Sequence, residues 1–117
     1  MTTPDRIYKI ASAEALAAAE RTGRFTGMPI DTADGYIHFS TAAQLEETLS
    51  LHFRGQSDLA LFAVETAALG DSLKWEPSRG GALFPHVYGS FSMQLVVWRG
   101  TVNVAADGSV TLPEGIA

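Results

Sequence analysis

The run LALFAVE from Leu59 to Glu65 restricts what this chain can fold into more than any other segment. It is apolar in both phases of a two-residue period, so as a strand it has to be covered on both faces. A chain of 117 residues has material for one such core. Residues 1–117 are therefore expected to form a single domain. The covering layers are visible nearby. Ser12 is placed to cap a helix from Ala13 to Glu20, with Glu14 in its first turn and Gly23 as its stop. Thr41 caps a second helix, and Gln44 completes a capping box. Ala42, Leu45, Leu49 and Phe53 recur at helical spacing along it until Gly55 ends the pattern.

Shorter strands are expected at 6–10, 36–40 and 92–99, with a closing hairpin across Asp107-Gly108. Residues 23–34, rich in Gly, Pro, Thr and Asp, read as a ligand-covering loop. Residues 69–75 read as a turn and a short strand, and 76–90, punctuated by Pro77, Gly80, Gly81, Pro85 and Gly89, as loop. Strands outnumber helices after residue 59, which favours an α+β fold over a doubly wound parallel one.

Charge and composition exclude several classes. The net charge is −5, and the eight basic residues are scattered singly, unlike the clustered basic stripe that binds a phosphate backbone. Nucleic acid is a disfavoured partner, and a small ligand held by one or two local cations is favoured. No cysteine is present, so disulfides, thiol catalysis and Cys-based zinc sites are excluded. No signal pattern or membrane-length apolar run is seen, and the expected location is the cytoplasm. No metal is expected either, since HxxxH and HxH spacings are absent. A monomer or weak homodimer is expected.

The chemistry concentrates in two segments, DGYIHFST (34–41) and WEPSRGG (75–81) leading into LFPHVYG (83–89). Period-two geometry sends Ile37 and Phe39 to the core, and Tyr36, His38 and Ser40 to a cleft. His38 there can orient a hydroxyl or move a proton, or be a structural histidine satisfied by backbone. His86, between Phe84 and Tyr88, either presents one polar group on an aromatic wall or belongs to a loop anchored by packing. His52 reads as a helix C-terminal residue. Gly80 and Gly81 allow close backbone approach to a ligand, and Arg79 can pair with its anionic group. Glu76 and Arg79 can equally close the turn on each other.

Taken together, DGYIHFSTAAQ, FRGQSDLALFAVE, WEPSRGG and LFPHVYG resemble the bacterial and plant family catalogued as domain of unknown function 952, over residues 6–98. That family looks like a compact relative of the ADP-ribosyltransferase fold, near the RNA 2′-phosphotransferases. The resemblance implies a split, mixed β-sheet of about five to seven strands with two main helices around an NAD- or ADP-ribose-shaped cleft. It places Lys9 where many members carry a ribose-contacting histidine, and matches His38 and Ser40 to a His-x-Ser element. Glu76, Arg79 and His86 match the family's loop motifs.

The expected function is binding of a nucleotide-like or phosphorylated small molecule, with NAD or ADP-ribose as the model ligand, and glycosyl or phosphoryl transfer if the site is catalytic. His38, Glu76 and His86 are the expected catalytic groups. Lys9, Tyr36, Ser40, Arg79, Gly80, Gly81 and Tyr88 are the expected ligand contacts. The alternative is a non-catalytic ligand-binding or protein-interaction module on the same fold.

Overall fold

The computed structural model describes residues 4–116, apart from the side chain of Arg79. The elements follow in the order β1 (Arg6–Ala11), α1 (Ala13–Thr22), β2 (Arg24–Phe25), α2 (Pro29–Asp34), β3 (Ile37–His38), α3 (Ala42–His52) and β4 (Leu59–Glu65). Then come β5 (Leu73–Pro77), β6 (Leu83–Val87), β7 (Phe91–Ser92) and β8 (Val96–Val102), with short 3₁₀ turns between them. β4 is the middle strand of the sheet β1-β4-β8, and a second sheet has the order β3-β6-β5. The β1 and β3 segments meet at one residue pair. There Tyr8 and Ser40 exchange backbone hydrogen bonds, each 2.8 Å long. The two sheets thus form the halves of one sheet that splits beyond that pair.

The strand at 59–65 is covered on both faces, as its pattern requires. Phe62 and Val64 pack with Ile7 and Ala11 of β1 against α1, β2 and Phe91. Leu59, Leu61 and Ala63 pack with Tyr8 and Ile10 against Leu45 and Leu49 of α3. Both helices begin where their caps predict, and α1 also stops where expected, whereas α3 ends at His52 with Phe53 as its C-cap, short of Gly55. Ser12 accepts from the Ala15 N–H, and Gly23 closes α1 in a left-handed conformation, φ 84°. Thr41 and Gln44 make a reciprocal capping box at the start of α3.

The α+β expectation is met, with three corrections. First, every pair of hydrogen-bonded neighbours within the sheets is antiparallel, where a mixed sheet was expected. The helices α1 and α3 cover opposite faces of β4 and do not serve as crossovers between parallel neighbours. Second, the presumed loop 23–34 contains β2 and the helix α2. Pro29 opens α2 at the one place where a missing N–H costs nothing, and Asp31 reaches back to the Met28 N–H at 2.6 Å.

Third, the presumed loop 76–90 holds most of a β-hairpin, with Trp75 opposite Pro85 and Glu76 opposite Phe84. Pro85 is tolerated in the middle strand because of where it sits. Its carbonyl accepts from Phe39 N–H at 3.0 Å, just past the last β3–β6 pair, where the segment after β3 turns from β6 to meet β1 at Ser40. Among the described residues no helix is long and apolar enough to cross a membrane.

Candidate active site

A cavity of about 540 Å³ opens where the two halves of the sheet part. One wall is extended chain: Tyr8, Lys9 and Ile10 from β1, His38 of β3 with Phe39 and Ser40 just after it, and Phe84 and His86 from β6. Facing them are Met28, Pro29 and Ile30 at the start of α2, and Thr48, His52 and Phe53 from the end of α3, with Ser78 at the β5–β6 turn. The size and mostly apolar lining, with a few polar groups, are those of a small-molecule pocket.

The polar groups come from two short-range constructions. In the first, Asp31 is 2% exposed and accepts from four directions. Lys9 Nζ lies 3.1 Å from Oδ1 and 2.9 Å from Oδ2. Met28 N–H donates to Oδ2, and His38 gives both its backbone N–H, at 3.0 Å, and its ring Nδ1, at 2.7 Å, to Oδ1. Burial alone would raise the Asp31 carboxyl. The His38 ring, the Lys9 charge and the two backbone N–H groups outweigh it and bring the pKa down to about 2. Lys9 is itself buried, which pulls its ammonium below the usual lysine range against the opposing pull of Asp31. It also donates to His38 O at 3.0 Å.

In the second construction, Glu76 of β5 receives His86 Nδ1 at 2.7 Å and the Tyr88 hydroxyl at 2.8 and 3.0 Å. These bonds, His86 first, hold the Glu76 carboxyl below its ordinary range, and the same carboxylate pushes the Tyr88 phenol up. Tyr36 joins the two constructions. Its ring stacks on His86 at 4.1 Å between centroids and leans on His38 at 4.8 Å and Tyr88 at 5.4 Å. The two imidazoles stand 5.6 Å apart, nearly perpendicular. Two histidines on one cavity therefore each have Nδ1 anchored on a carboxylate.

Of the expected site residues, Lys9, His38, Ser40 and His86 line the cavity. Tyr36, Glu76 and Tyr88 stand immediately behind the histidines. Ser40, 5% exposed, is also half of the backbone bridge to Tyr8. Gly80 and Gly81 are not lining residues: they shape the exposed hairpin turn with φ 67° and 81°, and the Gly81 N–H is used by Ser78 O. The side chain of Arg79 lies outside the described residues. His86 is a buried strand residue, 3% exposed, rather than part of an aromatic loop. His52, expected as a helix-end residue, ends α3 and also borders the cavity.

Sequence reasoning missed Asp31 and Asp34. Asp34 Oδ2 sits 2.9 Å from His38 Nε2, and its spacing of four residues before His38 was the available signal. Asp31 had none, since its partner Lys9 is 22 residues away. Among the described residues no three His, Asp or Glu side chains are grouped to hold a metal ion.

Fold and site define a small antiparallel α+β domain with a histidine-lined cavity where its sheet divides. The chain belongs to the family described as Protein of unknown function (DUF952), whose model matches residues 10–99. It is similar to the crystal structure of protein CC0527 from Caulobacter crescentus, with 46% identity over 91% of this chain and 93% of that one, at a TM-score of 0.85. The solution NMR structure of CC0527 shows 48% identity over 90% of each chain, at a TM-score of 0.78. No curated protein matches the chain.

Proposed function

We propose that the cavity binds a nucleotide-like small molecule and that His38 and His86 act on it in glycosyl or phosphoryl transfer. The observation that carries this reading is the pair of carboxylate-anchored histidines on one pocket wall. An imidazole whose Nδ1 is fixed by a carboxylate is held in one orientation, with Nε2 directed away from that carboxylate, an arrangement suited to proton transfer. Met28, Ile30, Phe53 and Phe84 give room for an apolar, planar body such as a base. The resemblance to ADP-ribosyltransferases, with their ligand at a split sheet, supports the same reading. Lys9 is matched by Asp31, so in this proposal the anionic part of the ligand falls to Arg79, on the turn beside Ser78.

Calorimetric titration and thermal melting with NAD, ADP-ribose and a panel of nucleosides and nucleotides test the proposal. At least one ligand is expected to raise the melting temperature, by the equivalent of about 2.7 kcal/mol at a hundredfold excess over Kd. His86→Ala is expected to abolish that shift while leaving the circular dichroism spectrum unchanged. A panel with no binder overturns the reading. A second reading, a non-catalytic module that binds without turnover, is favoured by the closed Lys9–Asp31 pair at the position where the resemblance implies a histidine. Binding that survives in His38→Ala, with no turnover in either protein, selects it.

A further inference from the structure

The hydrogen-bond partners of the two histidines are not alike, and the difference specifies what a ligand must bring. A carboxylate can only accept, so each ring nitrogen facing one carries hydrogen. For His86 that nitrogen is Nδ1, on Glu76. Glu76 is already receiving the Tyr88 hydroxyl, and Lys74 adds positive charge on the same strand. Nε2 of His86 makes no hydrogen bond among the described residues. No described buried side-chain nitrogen or oxygen is left without a partner, so this nitrogen is reached from the cavity that the ring lines.

His38 is different. Its Nδ1 is hydrogen-bonded to Asp31 Oδ1 at 2.7 Å, and its Nε2 lies at ion-pair distance, 2.9 Å, from Asp34 Oδ2, so both nitrogens face a carboxylate. The Tyr36 and His86 rings also pack against His38. Asp31 is buried and fixed, whereas the Asp34 side chain is 44% exposed. The Asp34 contact is therefore the one a ligand can replace.

We propose that the pair is polarised in opposite senses. His86 presents an accepting Nε2 to the cavity, and His38 presents an Nε2–H that Asp34 holds until a ligand arrives. The ligand class this selects is one with adjacent hydroxyl groups, one giving a hydrogen bond to His86 and the other receiving one from His38, as the vicinal diol of a ribose does. The specificity part rests on the binding site proposed above; the placement of the protons does not.

Long-range proton–nitrogen NMR of the ligand-free protein, labelled with ¹⁵N in histidine, reads this directly at pH 7. His38 is expected to show two hydrogen-bearing nitrogens, and His86 one hydrogen-bearing Nδ1 and one bare Nε2. Asp34→Asn is expected to convert His38 to a ring with a single hydrogen, on Nδ1, and to leave the His86 signals in place. A bare nitrogen on His38 in the unmodified protein, hydrogen on Nε2 of His86, or an unchanged His38 in Asp34→Asn each overturns the proposal. Because no ligand enters the experiment, its failure is separate from that of the ligand panel.

Discussion

The two halves of the split sheet are built on opposite rules. In β1-β4-β8, the central β4 is buried from Leu59 through Val64, and hydrophobic clusters lie on both of its faces. In β3-β6-β5, the outer strand β5 is half-exposed, and the strands hold polar side chains in fixed pairs: His86 on Glu76, and His38 on Asp31 and Asp34. One half is held by packing that is tolerant of direction. The other is held by directional contacts that set ring nitrogens against carboxylates. The contrast separates stability from chemistry along the sheet.

The largest effect that would test this division lies in the packed half. Phe62 is fully buried, with Phe25, Phe91 and Phe39 rings at 5.2, 6.3 and 6.5 Å. Phe62→Ala is expected to cost about 3–5 kcal/mol in urea denaturation. A smaller loss would show that the core is less concentrated on β4 than its burial implies.

Next comes the bonded half. Asp31→Ala strands the Lys9 ammonium in the interior and is expected to cost about 3 kcal/mol. The same residue gives an acid limb. Its carboxyl is at about 2 when folded, against an ordinary 3.8, so its contribution is fully present above the unfolded value and lost as pH falls from about 4 to about 2. The size of that limb is about 2 kcal/mol. Stability measured against pH in the wild type and in Asp31→Asn should diverge over that interval, and parallel curves would remove Asp31 as its source.

The smallest effect concerns the covering helix. Thr41→Ala breaks the capping box of α3 and is expected to cost about 1 kcal/mol by thermal melting. A loss as large as that for Phe62→Ala would mean that α3 does more than cover the sheet.

The same division decides what could be read from the sequence. The packed half was legible because periodicity reports burial: β4 from its unbroken apolar run, and α1 and α3 from their caps and stripes. The bonded half was legible only in part. His38 was placed facing the cleft by the alternation of Ile37 and Phe39, which are 3% and 2% exposed. The hairpin 73–87 was hidden by Pro77, Pro85 and the glycines, because local rules read proline as an interruption. Here Pro85 falls where the ladder was ending anyway. Asp31 was hidden for a different reason. Its role arises from Lys9, Met28 and His38 converging in space, and no window along the chain contains all of them. Short α2, opened by Pro29, was lost for lack of length.

The single stitch between Tyr8 and Ser40 has a consequence of its own. Since the strands part just past it, the hollow is a property of the backbone and not a hole left in either hydrophobic cluster. Along α3, Leu45 and Leu49 anchor the helix to the interior, while Thr48 and His52 border the opening. Two residues on that border, Ile30 and His52, belong to neither cluster, so exchanging them would reshape the opening without loosening the framework. A scaffold of this kind can keep one architecture while its mouth changes shape.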